Sequence, residues 1–353
     1  MTDQKLIDIV RNENYPLKIY NALNCNNNSI NFSTELIKTI TAIYRFIEPS
    51  HLNGKLIIYK RIANDELLPR KAESIIYNMD ELTQINTKTI IIESYEGQLY
   101  LWNDINDASF LNDTNTIFYC YENNIEYFYV NQHKIEIPHS FECSSIYALH
   151  YFYLNSALKQ YKQEKILTSN CILFKECWDD ENRLFFKSSN TKQKMPEAKM
   201  QESLNAFLSS ALRGVEVVRE YNLNASKPVD IRVKWTDANK SALIELKWLG
   251  KSKNEEGRIT VTYTDSRADD GARQLKEYLD MYDADTPNII SKAYLVIIDG
   301  RRKCANENVK TINSKNGLYY ENKEINFSDE NKYFERLKNF AQPIRMFAKP
   351  IVS

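Results

Sequence analysis

Three charged side chains lie in two neighbouring apolar segments near the middle of the chain. Asp230 ends the tripeptide Pro-Val-Asp and opens the first segment, and Glu245 and Lys247 flank Leu246 in the second. Side chains alternate between the two faces of a strand, so Glu245 and Lys247 are expected to point to the same side. The sequence therefore predicts that one strand presents a carboxylate and an ammonium together.

The polar stretch 236–241 between these segments predicts a tight turn and an antiparallel hairpin. Pairing about that turn brings Asp230 across the ladder from Glu245 and Lys247. Two converging carboxylates form an oxygen-rich site that suits Mg²⁺, or Mn²⁺ in its place. An ammonium beside them lowers the cost of a deprotonated water or stabilises charge that builds up on a phosphate. Together these groups are suited to metal-assisted phosphodiester hydrolysis.

With the following helix included, the pattern resembles the PD-(D/E)XK nuclease superfamily, which has the restriction-endonuclease-like fold. The matching positions are Pro228-Val229-Asp230, Glu245-Leu246-Lys247, and the Gln274 and Tyr278 of a Gln-x-x-x-Tyr motif. The resemblance covers roughly the C-terminal half of the chain. The long insert 249–270 departs from the family pattern without touching the motif residues, and we expect it to influence substrate specificity.

The resemblance implies roles for individual residues. Asp230, Glu245 and the backbone carbonyl of Leu246 would hold the metal, joined by a glutamate of the first helix of the domain, for which Glu202 is preferred over Glu197. Lys247 would orient or deprotonate the attacking water, or stabilise the pentavalent phosphorus. Gln274 would position metal-bound water or the phosphodiester.

Two further features are interpreted as nucleic-acid contacts. Tyr278 shares a helix face with Gln274, although packing of that helix on the sheet is an alternative reason for a tyrosine there. A basic cluster, Arg301, Arg302 and Lys303, follows an apolar strand and is expected to contact phosphate. An ordinary exposed turn is the alternative for this cluster.

The resemblance implies a Mg²⁺-dependent endonuclease that hydrolyses DNA, acting in bacterial restriction or anti-phage defence. Its partners would be DNA and, through the N-terminal part of the chain, a protein subunit of a defence system. A homodimer is expected because cutting both strands needs two sites. The alternatives are a catalytically silent nuclease-like fold used for DNA binding or assembly, and an RNA-cleaving nuclease.

The predicted fold is α/β and has two parts. Residues 1–190 are expected to form an α+β module for sensing, partner binding or target recognition, and the polar stretch 188–194 to link it to a nuclease-like domain, 191–353. The order helix–strand–strand–strand–helix–strand in the second part is similar to the core topology of the superfamily, so the resemblance implies a restriction-endonuclease-like α/β sandwich around a central mixed sheet. A final helix is predicted over 331–341.

Within residues 1–190, helices are predicted over 2–15 and from a cap at Ser33 or Thr34, and short aromatic strands over 87–137. Base stacking is one interpretation of those aromatic residues, but cross-strand packing is favoured. A hairpin is predicted over 172–186.

Composition limits the classes of function. The net charge of −1 excludes a global basic field, so any nucleic-acid site must be a local patch. Six scattered cysteines without a CxxC pair, and no signal peptide, predict a reduced cytoplasmic protein without a zinc site. No apolar run is long enough to span a membrane.

Overall fold

The chain forms two compact units, residues 1–152 and 153–353, in a computed structural model. The structure describes residues 27–49, 52, 54–60, 74–84, 89–95, 97–103, 117–130, 133–137, 145–188, 196–223 and 227–353. The protein is a mixed α/β protein with two mixed sheets and interspersed helices, which confirms the predicted class. Residues 153–188 belong to the second unit, although the sequence places the linker after them.

The first unit is built on a seven-stranded sheet of order β2-β4-β3-β1-β5-β6-β7. Its elements are α1 (Asn27–Ile43), β1 (Lys55–Lys60), β2 (Ser74–Ile76), a 3₁₀ helix (Met79–Gln84), β3 (Thr89–Tyr95), β4 (Gln98–Asn103), β5 (Ile117–Glu122), β6 (Ile125–Val130) and β7 (His133–Ile137). Strands β1 and β3 are parallel, and the other neighbours are antiparallel. The aromatic strands thus form a sheet, as predicted.

Helix α1 covers one face of this sheet, where its apolar residues Leu36, Ile40 and Ile43 join a buried core. The predicted cap residues Ser33 and Thr34 lie inside the helix, because α1 already begins at Asn27. The helix predicted over 2–15 lies outside the described residues.

The second unit contains a mixed sheet of order β14-β13-β11-β10-β9, and β8 and β12 pair with β11 beside this path. Its elements are α2 (His150–Tyr161) with a following π-helical turn (Lys162–Ile166), α3 (Ile172–Lys175), β8 (Phe186–Lys187), α4 (Glu197–Ala211), β9 (Val215–Leu223), β10 (Lys227–Trp235), β11 (Lys240–Lys253), β12 (Ile259–Tyr263), α5 (Asp265–Asp285), β13 (Ile290–Asp299), α6 (Ser314–Gly317), a 3₁₀ turn (Asp329–Asn331), α7 (Tyr333–Arg336) and β14 (Ile344–Phe347). The predicted order of elements is confirmed, and the insert contributes the additional strand β12.

Helices α4 and α5 place their side chains on the central strands. Helix α4 packs against β9, β10 and β11, and α5 packs against β11 and β13. Both are amphipathic: α4 buries Leu204 and Leu208, and α5 buries Leu275 and Leu279. Buried apolar surface therefore fixes both helices against the strands that carry the charged residues.

Strand β11 changes partners at Gly250. Its pairing with β13 runs as far as Leu249, and its pairing with β12 starts at Gly250. Gly250 has a φ of +139°, and a Cβ there would lie 3.1 Å from the carbonyl oxygen of Gly300. Glycine is required here both for the backbone conformation and for the close approach.

Two local predictions are wrong. The first strand of the hairpin predicted over 172–186 is wrong, because residues 172–175 form α3. The turn itself is present: Trp178 and Phe186 form an antiparallel bridge, and the Asp180 carboxylate accepts the N–H groups of Leu184 and Phe185. The predicted helix 331–341 is reduced to α7, because the chain near Phe340 pairs with the start of β13 instead. None of the described helices combines the length and apolar character needed to cross a membrane.

Candidate active site

Asp230 lies where β10 and β11 separate. Their antiparallel pairing runs from Lys234↔Ser241 to Ile231↔Ile244, and the next step of this register sets Asp230 opposite Glu245. At this point the link between the strands is a side-chain contact: Asp230 Oδ2 accepts a hydrogen bond of 2.7 Å from the Leu246 N–H. The predicted hairpin is confirmed, and it brings Asp230 to the Glu245-Leu246-Lys247 segment.

Glu245 and Lys247 point to the same side of β11, as the alternation predicts. Lys247 Nζ donates to Glu245 Oε1, and both side chains are almost completely buried. Lys247 Nζ also lies 4.0 Å from Glu197 Oε1 on α4. A buried ion pair that has a second carboxylate within reach is therefore the centre of the site.

The α4 glutamate that reaches the site is Glu197, not the preferred Glu202. Glu197 contacts Lys247 and also Arg267 Nη2, at 3.2 Å. Glu202 lies on another side of α4 and pairs with Lys199 at 3.5 Å. The preference for Glu202 is therefore wrong. Residues 197 and 201 are four positions apart and share the helix face toward the site, whereas residue 202 lies on a different face.

Gln201 is a site residue that the sequence analysis did not assign. It is buried one turn after Glu197, and its Nε2 donates a hydrogen bond of 2.7 Å to Asp230 Oδ1. Asp230 contacts Gln201, and Lys247 contacts Glu197, so one face of α4 covers both charged groups. The spacing of Gln201 from the apolar Leu204 and Leu208 is helical, and it is the signal in the sequence that indicates a buried position.

Helix α5 covers the site with the motif residues. Gln274 Nε2 donates to the hydroxyl of the buried Tyr278, and that hydroxyl is close enough to Glu245 and Asp230 to be influenced by their charges. One turn earlier, a Cβ on Gly271 would lie 2.7 Å from Lys247 Cγ. The small residue lets α5 press directly on the Lys247 stem.

Burial dominates the electrostatics of the site. It raises the pKa of Asp230 well above its usual value, and the neighbouring Glu245 carboxylate raises it further. Burial likewise raises the pKa of Glu245, although Lys247 opposes this shift. Burial lowers the pKa of Lys247, but the carboxylates of Glu245, Glu197 and Asp230 outweigh this effect and raise it overall. Buried acids that repel one another beside a cation are typical of functional sites.

One oxygen of the site lacks a hydrogen-bond partner in the described part of the chain. Glu245 Oε2 is buried without a hydrogen bond to any described residue. A cation there would satisfy this oxygen and offset the repulsion between Glu245 and Asp230, so the donor set fits Mg²⁺ or Mn²⁺. Among the described residues no three His, Cys, Asp or Glu side chains are arranged as a ready metal cage. Mg²⁺ commonly binds through one or two carboxylates and keeps several waters, so two protein carboxylates are enough.

The predicted phosphate contacts of Arg301 and Arg302 are corrected. Arg301 is buried and donates to the Asp299 carboxylate from Nε at 3.0 Å and from Nη2 at 2.7 Å. Arg302 is buried and donates to the backbone carbonyls of Arg183 and Ala348. Both guanidinium groups hold the fold together. Lys303 lies over the Tyr319 ring, with 4.2 Å between Nζ and the ring centroid, and its phosphate contact stays a prediction.

Comparison of the chain with protein-family models, with curated proteins and with solved structures finds no match.

Proposed function

We propose that the second unit is a metal-dependent nuclease that hydrolyses phosphodiester bonds in DNA. The observation that supports this most directly is the meeting of Asp230, Glu245 and Lys247 in one buried cluster. Placement of the two carboxylates on opposite sides of the sheet would have excluded a shared ion. A role in restriction or anti-phage defence is proposed from the resemblance to the PD-(D/E)XK superfamily alone.

Asp230 and Glu245 would hold the ion, and the unpartnered Glu245 Oε2 is the first oxygen available to it. A carbonyl oxygen of the intervening Leu246 is a further ligand in this proposal. Bound Mg²⁺ would polarise the phosphate and lower the pKa of its water. Gln201 and the Leu246 N–H fix the Asp230 carboxylate through hydrogen bonds to both of its oxygens, which preorganises the ligand.

The environment of Lys247 favours a charge-stabilising role over that of a base. Its raised pKa keeps the ammonium protonated at neutral pH, and the ion pair with Glu245 directs it into the cluster. A protonated ammonium can donate to the attacking water and offset negative charge on phosphorus. Gln274 lies beside the Tyr278 hydroxyl and would position water or a phosphate oxygen.

Nicking of supercoiled plasmid tests the proposal. The purified full chain should nick DNA with Mg²⁺ or Mn²⁺, EDTA should stop the reaction, and Lys247→Met should abolish it while the circular dichroism spectrum is unchanged. The matched control is Lys251→Met on the same strand, since Lys251 Nζ donates to the Ala305 carbonyl away from the carboxylates. Cleavage that survives Lys247→Met, or that needs no divalent ion, would remove the proposed mechanism.

Two alternatives give different outcomes in the same assay. A catalytically silent fold would bind DNA without nicking it under any metal condition. An RNA-cleaving enzyme would degrade a labelled single-stranded RNA and leave the plasmid intact. DNA is favoured because the sequence has no aromatic RNA-binding motif of the RNP type.

A further inference from the structure

A chain of alternating charges leads outward from the buried carboxylates. Glu245 pairs with Lys247, Lys247 lies 4.0 Å from Glu197, and Glu197 lies 3.2 Å from Arg267. The exposed fraction of the side chain rises along this series, from 1% for Glu245 to 4%, 14% and 27% for Arg267. Arg267 is therefore the outermost cation of the cluster and the first one that an approaching polyanion would meet.

The Arg267 guanidinium is held on an aromatic support. It lies over the Tyr263 ring, 4.8 Å from the centroid, and Tyr263 packs edge-on against Trp248 at 4.6 Å. Trp248 in turn packs against Phe186, so the support is anchored in the interior. Arginine stacks well on aromatic rings, and such stacking restricts the guanidinium without using its N–H donors.

Arg267 also has unused donor capacity. Its Nη2 donates to Glu197, whereas its Nε is buried without a hydrogen-bond partner among the described residues. On α5 it precedes Gly271, Gln274 and Tyr278 at intervals of four, three and four residues, so it shares the helix face that covers the site. An anion that takes up these donors would lie beside the carboxylate cluster.

We propose that Arg267 binds a backbone phosphate of the nucleic acid next to the one that is cut, and that Glu197 competes with this phosphate for the guanidinium. This inference rests on the proposed nuclease function and extends it to a substrate-binding residue that the motif does not contain. Guanidinium groups form strong, charge-assisted hydrogen bonds with phosphate oxygens. The Glu197 contact would keep Arg267 in place until the substrate replaces it.

The test measures binding separately from cleavage. A labelled DNA duplex and an RNA strand of the same sequence are titrated with the full chain in Ca²⁺ at several salt concentrations. Arg267→Ala should weaken DNA binding about tenfold and reduce the slope of log affinity against log salt by about one. Arg267→Lys should restore part of the affinity, because it keeps the charge and loses the fork of donors.

Arg273→Ala is the matched control, because Arg273 is on the same helix and pairs with Glu277 on its exposed side. It should leave both affinity and slope unchanged. Glu197→Gln should tighten DNA binding when it is the only substitution, and it should have no effect on DNA binding when Arg267→Ala is also present. Wild-type affinity and slope in Arg267→Ala would overturn the proposal, as would an equal loss in Arg273→Ala.

The outcomes separate this inference from the proposed function. Normal nicking by wild type together with unchanged binding by Arg267→Ala refutes the role of Arg267 and leaves the nuclease. Absence of nicking together with weakened binding by Arg267→Ala refutes the hydrolysis and leaves the phosphate contact. A loss confined to the RNA strand would refute DNA as the substrate.

Discussion

Glu126 in the first unit and Glu245 in the second are both completely buried, but the groups around their carboxylates differ. In the first unit, Glu126 accepts hydrogen bonds from Tyr119 Oη at 2.6 Å, Ser145 Oγ at 2.6 Å and the Ile146 N–H at 2.8 Å. In the second, Glu245 pairs with Lys247 through one oxygen and has no hydrogen bond from a described residue to the other.

We interpret the difference as that between a carboxylate that stabilises the fold and one that the proposed function would use. Neutral donors surround both oxygens of Glu126, which offsets the cost of removing it from water. Glu245 instead lies beside other acids: in addition to burial, Glu197 raises the pKa of Glu245 and Glu245 raises the pKa of Asp230, while Lys247 opposes both shifts. Burial alone does not distinguish the two glutamates, whereas the groups around their carboxylate oxygens do.

The largest expected effect tests this contrast directly. Glu245→Gln should reduce nicking by about 10³-fold or more with the thermal unfolding temperature unchanged or higher. Glu126→Ala should destabilise the protein by about 3 kcal/mol or more, because it removes the carboxylate that accepts from Tyr119, Ser145 and Ile146. Unfolding followed by circular dichroism, together with the plasmid assay, measures both. An unchanged unfolding temperature in Glu126→Ala would contradict the structural role of Glu126.

Gly271→Ala should have a smaller effect than Glu245→Gln. The added Cβ would lie 2.7 Å from Lys247 Cγ, so the Lys247 stem or α5 must move. Overpacking of this kind costs about 1–3 kcal/mol, and we expect nicking to fall about tenfold through displacement of the ammonium. Asp270→Ala, at the neighbouring exposed position, is the control. Equal activity of the two variants would show that the position of Lys247 is not critical.

The two glutamates of α4 should behave differently. Glu197→Gln should slow nicking about tenfold or more, because it removes the carboxylate next to Lys247. Glu202→Gln should stay within about twofold of wild type, since Glu202 pairs with Lys199 on the exposed side. Comparable losses in initial nicking rate for both variants would contradict the geometric assignment.

The smallest effect concerns the dependence of stability on pH. Burial and Glu245 raise the pKa of Asp230, so the folded chain binds this proton more tightly than the unfolded chain does. The contribution of Asp230 to stability is therefore greatest below about pH 4, the unfolded pKa of an aspartate, and falls as the pH rises toward the folded pKa. Asp230→Asn should remove this fall.

Thermal unfolding in EDTA from pH 4 to pH 8 measures the effect. The unfolding temperature of Asp230→Asn should exceed that of wild type increasingly as pH rises, by an amount comparable to the 2–4 °C that about 1 kcal/mol produces in a domain of about 150–250 residues, the size range of the second unit. The asparagine oxygen can keep the Leu246 hydrogen bond, and the Gln201 amide must then turn its oxygen toward the new NH2 group to keep the second contact. Parallel curves for the two proteins would exclude a raised Asp230 pKa.

Much of the site could be predicted because it depends on local patterns. Alternation in β11 places Glu245 and Lys247 together, and the polar turn before it determines that Asp230 comes opposite. Helical spacing also places residues 197, 201, 204 and 208 on one face of α4. This spacing indicates that Gln201 is buried, whereas the resemblance to the nuclease superfamily points only to the glutamates of the helix.

Contacts between distant segments could not be predicted in this way. Arg302 is buried and donates hydrogen bonds to the backbone carbonyls of Arg183 and Ala348. No local pattern in the sequence shows that these segments meet. In the same way, the chain near Phe340 leaves its helical pattern because it pairs with the start of β13. Local propensity is overridden wherever tertiary pairing satisfies the backbone better.

The partner change at Gly250 has a consequence for where the chain can take insertions. On one side of the glycine β11 is enclosed by β13 and carries the charged residues; on the other it pairs with β12, which belongs to the insert. We therefore expect extra residues in the exposed turn between β11 and β12 to leave Glu245 and Lys247 in place, because β11 is held by β13 before the glycine.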